Sequence, residues 1–450
     1  MSETIVLKRG LDVPVNGRAD LRVSKSMTPS TVAVQPDAAK GLLPRLLVKE
    51  GDRLKCGSPV IADKKNPEIL LTAPVSGTVK EVVRGEKRKL LAVLIEADDR
   101  QEYADFGVKN PADMQPEEIK AALLGSGLWP LLVQRPYGVL ADPAVAPKAI
   151  FVSAFHTAPL AADTEFTLGG QVAAIQKGID ALARIAPVHV SLDARVKDSA
   201  FAALTGCTLH SFRGKHPAGN VGVQISHISP IMKGDTVWTV SLPGLAAIGK
   251  LFATGRLDLR RKVAVTGPAA IEPSYVETVP GTPMSFFAPF YGGDAEGVRI
   301  ISGDLLSGRA VGTAGCLGWQ DDQVTIIREG TDKELLGWIR PIRYKQFSND
   351  HSYFSWLMPC RKYDLDTNLH GGPRPFLMND GYYAKVLPMD IYPVFLAKAC
   401  LAGDIEKMEK FGIYEVLPED LALCEFTDPS KNYIQDMIAS GIDLMIKEMA

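Results

Sequence analysis

The spacing of hydrophobic and polar positions changes several times along the chain. Through the first hundred residues, short apolar runs such as Leu46-Leu47-Val48, Val60-Ile61-Ala62, Ile69-Leu70-Leu71 and Leu90 to Ile95 are separated by Gly, Pro, Asp and Asn. Runs of this length bounded by turn formers predict strands, so residues 1–100 read as a small all-β unit. From 101 to 256 helical spacing, as in Pro116 to Leu124, alternates with buried-strand runs at Ala149 to Ala154 and Val188 to Leu192. That alternation predicts a Rossmann-like α/β domain. Over 257–330, β-rich runs broken by Gly and Pro predict a compact β-grasp-like module, and 331–387 reads as a connecting segment. From 388 to 450 apolar residues return at three- and four-residue spacing, in 394–401, 404–410 and 433–449, and predict a helical domain. The expected fold is therefore an α/β and β multidomain chain.

Composition supports this and removes several function classes. The chain has 450 residues, 46% apolar and 23% charged, with a formal net charge of -2. That is enough apolar material for several cores, and it argues against disorder, collagen or coiled coil. A protein that neutralises nucleic-acid phosphates carries a basic excess, and this chain has none, so no nucleic acid is expected. Charge is nevertheless uneven: residues 1–100 hold 18 basic and 13 acidic side chains, residues 401–450 hold 4 and 11. Clustered cations such as Lys87, Arg88 and Lys89 could face anionic lipid or an acidic neighbour. The six cysteines contain no Cys-x-x-Cys pair, which predicts free thiols in a reducing compartment. No secretory h-region and no run of 18 apolar residues is found, so neither a signal peptide nor a membrane span is expected.

Several local motifs bear on chemistry. Gly51 and Gly57 on one turn and Pro74 to Gly77 on the next resemble the lipoyl and biotinyl carrier fold, the barrel-sandwich hybrid. In carriers the modified lysine occupies the intervening hairpin tip, here Asp63-Lys64-Lys65-Asn66-Pro67. The small residue that follows a carrier lysine is missing, which favours an unmodified hairpin. Gly244 to Lys250 matches the first seven positions of a phosphate-binding loop, but Leu251 stands where Ser or Thr holds magnesium, and the apolar spacing predicts a helix ending near Gly255. Gly125-Ser126-Gly127 has too few glycines for a dinucleotide fingerprint. The neighbouring Trp129, Arg135 and Tyr137 supply flat apolar surface and one charged donor, a composition that suits a quinone head group, or else an interdomain loop of packed aromatics. Phe212 and His216 lie in a stretch rich in cations and turn residues, where His216 could donate to a carbonyl oxygen. No zinc-ligand spacing and no Ser-His-Asp set is found, so no metal and no independent catalytic residue is expected.

Nine short motifs in order along the chain, among them Lys8 to Pro14, Ser126 to Trp129, Arg135-Pro136-Tyr137, His216 to Gly219, Gly249 to Phe252, Arg299 to Gly303, Glu334 to Trp338 and Leu421 to Cys424, resemble one family. It is the A subunit of the bacterial sodium-translocating NADH:quinone reductase, which is similar to the electron-transport complex C subunit and the flavin-carrying subunit of complex I. The resemblance implies a peripheral subunit on the cytoplasmic face of the inner membrane. Its partners would be the other subunits, above all the quinone-associated membrane subunit. Its ligand would be quinone, with Trp129, Arg135, Tyr137, Phe212 and His216 as the candidate quinone-binding residues. The relatives' glycine-rich flavin loop is reduced here to Gly125-Ser126-Gly127, and their four-iron tail to Cys424, with Asp428 where many members have a second cysteine. No covalent cofactor, flavin, NADH or iron–sulfur cluster is therefore expected. Two other readings stay open: a flavin- or NADH-binding oxidoreductase subunit of the complex I type, and a lipoyl or biotinyl carrier fused to a scaffold.

Overall fold

The structure, a computed structural model, describes residues 4–293, 295–340, 342–349, 351, 353–374 and 378–449. Residues 31–97 form two small sheets. One has the strand order Thr31–Val34, Leu90–Ala97, Gly77–Arg84, Arg53–Leu54, and the other Pro44–Leu46, Pro59–Asp63, Leu70–Thr72. Alternate residues of both sheets, such as Val32, Val34, Ile61, Leu71, Val79, Val93 and Ile95, point into a shared core. The hairpin tip at Lys64 and Lys65 is exposed, and it is shaped by the Asp63 carboxylate, which accepts from the amides of Leu43 and Asn66.

The α/β portion is built on a seven-stranded sheet. In spatial order the strands are Thr4–Val6, Thr208–Arg213, Val188–Asp193, Ile150–Ser153, Val237–Thr239, Val133–Arg135 and Val139–Leu140. The first five are parallel and the last two antiparallel. Strand order reverses between Ile150–Ser153 and Val237–Thr239, the arrangement of doubly wound sheets. Helices Val172–Leu182 and Leu242–Thr254 pack closely on one face. Their backbones touch at two glycines: a Cβ on Gly249 would lie 1.7 Å from the Ala174 carbonyl oxygen, and one on Gly178 would lie 2.3 Å from that of Leu245.

The residues before the barrel-sandwich unit do not stay with it. Thr4–Val6 edges the parallel sheet, and Asp20–Ser26 adds to a six-stranded sheet whose other members are Ser274–Thr278, Arg261–Thr266, Gln323–Arg328, Val298–Ser302 and Arg309–Ala310. The expected all-β unit of 1–100 thus gives up its first strands. Both are largely exposed and show no alternation of buried and exposed positions that would mark a partner, so their pairing could not be read from local pattern. The helical expectation beyond 388 meets helices Pro393–Ala402, Ile405–Phe411 and Ile434–Met449, preceded by Asp380–Val386 and with Ala422–Thr427 between. These helices share one core with the parallel sheet, in which Phe151, Phe212 and Val223 meet Tyr383, Leu396, Ile438 and Ile442. Among the described residues no helix is long and apolar enough to cross a membrane.

Candidate functional site

The five residues singled out in the sequence fall in different surroundings. Trp129 is fully buried beside the barrel-sandwich unit; its Nε1 donates to the Ala141 carbonyl at 2.8 Å, and its ring meets Trp238 edge-on at 5.3 Å. Phe212 is equally buried, on the strand Thr208–Arg213. Neither presents a face to a ligand. Tyr137 is half-buried at φ 81°, edge-on to Tyr414 at 6.2 Å, and Tyr414 in turn donates to Glu409 at 2.5 Å. Burial pushes the Tyr137 hydroxyl above the ordinary phenol value.

Arg135 ties the α/β sheet to the C-terminal region. The Arg135 guanidinium donates through Nη1 to Asp420 at 3.0 Å and through Nη2 to Glu419 at 3.1 Å. Asp420 is buried, and its carboxylate also accepts from the Leu417 amide at 3.0 Å. Gly222, in the first turn of helix Val221–Ile228, lies against this pair. A Cβ there would sit 2.3 Å from Asp420 Oδ2 and 2.5 Å from Arg135 Nη1, so only glycine lets the helix N-terminus come close enough to favour the carboxylate. Enclosure and neighbouring Asp420 push Glu419 above the ordinary carboxylate range while Arg135 opposes, and water at its two-fifths exposed side chain tempers the rise.

His216 is buried, with Nδ1 3.2 Å from the Thr157 hydroxyl and its backbone amide donating to Asp12 at 2.9 Å. Burial lowers its pKa, against the charges of Asp304, Asp12 and Asp420. The loop that carries it docks on the chain's own residues 7–12 and 157. The arrangement is a clamp between the α/β sheet and the C-terminal helices.

The glycine motifs resolve physically. Gly125 and Ser126 end helix Pro116–Ser126, and Gly127 caps it at φ 74°, where a Cβ would strike Thr72 of the barrel-sandwich unit at 2.4 Å. A phosphate loop precedes a helix, whereas this one follows a helix and faces the negative end of its dipole. Gly244 to Lys250 lies inside helix Leu242–Thr254, capped by Gly255 at φ 67°, as the apolar spacing predicted. Cys424 is buried, and the Asp428 carboxylate accepts from the amides of Ser430 and Asn432. The six cysteines are all free, and among the described residues no three His, Cys, Asp or Glu are grouped to hold a metal.

Among the described residues two cavities of about 600 Å³ stand out, and none of the five residues lines either. One, of about 590 Å³, opens at the C-terminal ends of Ile150–Ser153 and Val188–Asp193, where doubly wound sheets bind ligands. Its wall sets Asp12, Asp163, Glu165 and Asp193 against Arg18, Arg195 and Lys362, and Arg195 is already forked onto Asp193 at 2.7–3.0 Å. That field does not favour a dianionic phosphate. The other, of about 620 Å³, lies between the six-stranded sheet, residues 338–374 and the C-terminal helices. Ile301, Leu305, Leu306 and Leu365 make its apolar wall, Trp338, Phe347, Tyr353 and Phe426 supply rings, and Arg374 and His370 supply polar groups. Leu305 and Leu306 of this wall follow Asp304, whose carboxylate accepts from the amides of Leu306 and Ser307 and shapes the turn. Sequence reasoning missed these rings because residues 331–387 show no periodicity. Their signal was density, with seven aromatic residues between 338 and 363.

Fold and cavities define a class: a multidomain protein of barrel-sandwich, α/β and β modules with a helical tail, in which a ring-lined cavity lies between the β module and the tail. The comparisons with known proteins make this particular. The NqrA N-terminal barrel-sandwich hybrid domain matches residues 5–98, the NqrA second alpha/beta domain 114–257, and the NQRA C-terminal domain 262–312. The A subunit of the Na(+)-translocating NADH-quinone reductase of Yersinia pestis bv. Antiqua (strain Angola) is 37% identical over 433 residues, covering 95% of this chain and 96% of the relative. That of Actinobacillus pleuropneumoniae serotype 5b (strain L20) is 35% identical over 451 residues, covering 99% and 100%, and that of Serratia proteamaculans (strain 568) is 36% identical, covering 95% and 96%. The chain belongs to the family of Na(+)-translocating NADH-quinone reductase A subunits, as the nine short motifs indicated. A solved NAD+-reducing [NiFe]-hydrogenase resembles it only slightly, at TM-score 0.31 and 15% identity over 49% of this chain and 47% of that one.

Proposed function

We propose that the chain is the A subunit of a sodium-translocating NADH:quinone reductase, a peripheral subunit on the cytoplasmic face that contributes quinone binding and assembly rather than bond chemistry of its own. Family membership supports the first half of this reading. The observation that carries the second is the cavity of about 620 Å³, whose volume and ring-lined wall, interspersed with donors such as Arg374 and Lys431, suit a quinone head group. An uncharged ring needs apolar contact and one or two donors, and it needs no phosphate cradle. The capped helix at Gly127 and the mixed-charge crevice at Asp193 therefore weigh against a flavin or NADH reading. Quinone binding moves in this proposal from Trp129, Arg135, Tyr137, Phe212 and His216 to this ring-lined chamber.

Calorimetric titration of the purified chain with a short-chain ubiquinone tests this. Saturable binding is expected, weakened at least about tenfold in Ile301→Phe, which fills the cavity. The absence of saturable binding, or binding that Ile301→Phe leaves intact while His216→Asn abolishes it, would refute the assignment to this cavity. Assembly is tested separately, by co-purification of the chain with membrane subunits.

A further inference from the structure

Residues 335–358 carry nine of the chain's large exposed hydrophobic side chains: Leu335, Leu336, Ile339, Ile342, Tyr344, Phe354, Trp356, Leu357 and Met358, with Leu335 84% and Ile342 70% exposed. No other stretch of comparable length among the described residues concentrates them so. The segment has two sides. Gly337 and Ser355 are buried, and Trp338 and Tyr353 line the large cavity, while the residues flanking them face outward. The segment is held in this shape by Glu334, which pairs with Arg340 at 2.6 Å and with Arg343, whose guanidinium lies 5.7 Å from the Tyr353 ring centre. The outward side chains are thus presented by an anchored structure.

The segment is net positive even though Glu334 offsets part of the charge of Arg340 and Arg343. Between Leu335 and Tyr363 the sequence has five basic residues, Arg340, Arg343, Lys345, Arg361 and Lys362, and one acidic residue, Asp350, which lies outside the described residues. The exposed aromatic pair Tyr392 and Phe395 lies in a stretch of balanced charge, with Asp390, Asp404, Glu406 and Glu409 against Lys385, Lys398, Lys407 and Lys410. The Lys87 to Lys89 hairpin tip has cations with only Leu91 exposed nearby. Of the three, only 335–358 combines Trp, Tyr and Phe with aliphatic side chains and cations. That is the composition that seats at the lipid–water interface, rings at head-group depth and cations against anionic phosphates. We infer that residues 335–358 dock the protein on the head-group layer of an anionic phospholipid bilayer. The inference deepens the peripheral-subunit reading, and its test uses no other subunit, so its failure would leave that reading standing.

The test is sedimentation of the full chain with vesicles of phosphatidylcholine alone or mixed with phosphatidylglycerol. Binding is expected to the mixed vesicles only, to weaken with salt, and to fall about tenfold or more in Trp356→Ser/Leu357→Ser and in Lys345→Gln/Lys362→Gln. The replaced side chains are exposed, and the circular dichroism melt of each variant is expected to match that of the parent. Three results would overturn the inference: no binding of the parent to anionic vesicles; binding that both variants retain; or binding lost only in Lys87→Gln/Arg88→Gln/Lys89→Gln. Failure of the Trp356 variant to co-purify with a membrane subunit, when the parent ignores vesicles, would assign the face to a protein partner instead.

Discussion

Arg135 shows what one side chain contributes in this fold. Its partner Asp420 is buried, so removing the guanidinium strands a carboxylate away from water, and Arg135→Met should lower stability by about 3–5 kcal/mol. Urea unfolding followed by fluorescence measures this, and a loss below about 1 kcal/mol would refute the clamp. A pH effect belongs to the same scale. His216 is held below the ordinary histidine value by burial, as are His189 and His210, which lie 2.9 Å apart in the parallel sheet. The unfolded chain therefore binds more protons as pH falls, so stability is full above about 6.5 and is lost below it. The midpoint of thermal unfolding should drop between pH 7.5 and 5.5, and His189→Gln/His210→Gln should flatten that slope. The chemistry of these residues was legible in the sequence but their surroundings were not. Arg135 and Asp420 are 285 positions apart, and no local pattern reveals that Trp129 faces Trp238.

Elements were legible where period and capping agree. Helix Leu242–Thr254 has Pro near its start, Gly255 at its end and an apolar stripe between, so both ends could be placed. Strand partners were less legible, because Thr4–Val6 has three residues and pairs with a strand some two hundred positions away. Gly125-Ser126-Gly127 shows the same limit, since a helix stop and a reduced phosphate loop share a composition and differ only in which side the helix lies. The tightest element contact gives a sharp prediction. Gly249→Ala would drive a methyl group into the Ala174 carbonyl and part the two helices, at a cost of about 2–3 kcal/mol in the urea unfolding of the purified chain. Ala substitution at Gly170, which has open space around it, should change little and serves as the control.

For the whole molecule, the purified chain should show a mass equal to that of the bare sequence, with no adduct on Lys64 or Lys65, and no flavin absorbance. An adduct on either lysine would favour the carrier reading, and a bound flavin the complex I reading. The barrel-sandwich unit ahead of an α/β portion could be read from composition and pattern, but the chamber could not, because its walls come from two modules and a segment with no periodicity. The placement of the first 26 residues has a consequence for how the chain is made. Thr4–Val6 is synthesised well before its partner and waits for Thr208–Arg213, while Asp20–Ser26 waits for Ser274–Thr278. At about 5–20 residues per second the leading strand stays unmatched for roughly ten to forty seconds of translation. A nascent-chain chaperone would find its binding window there, before the last-placed stitches close the molecule.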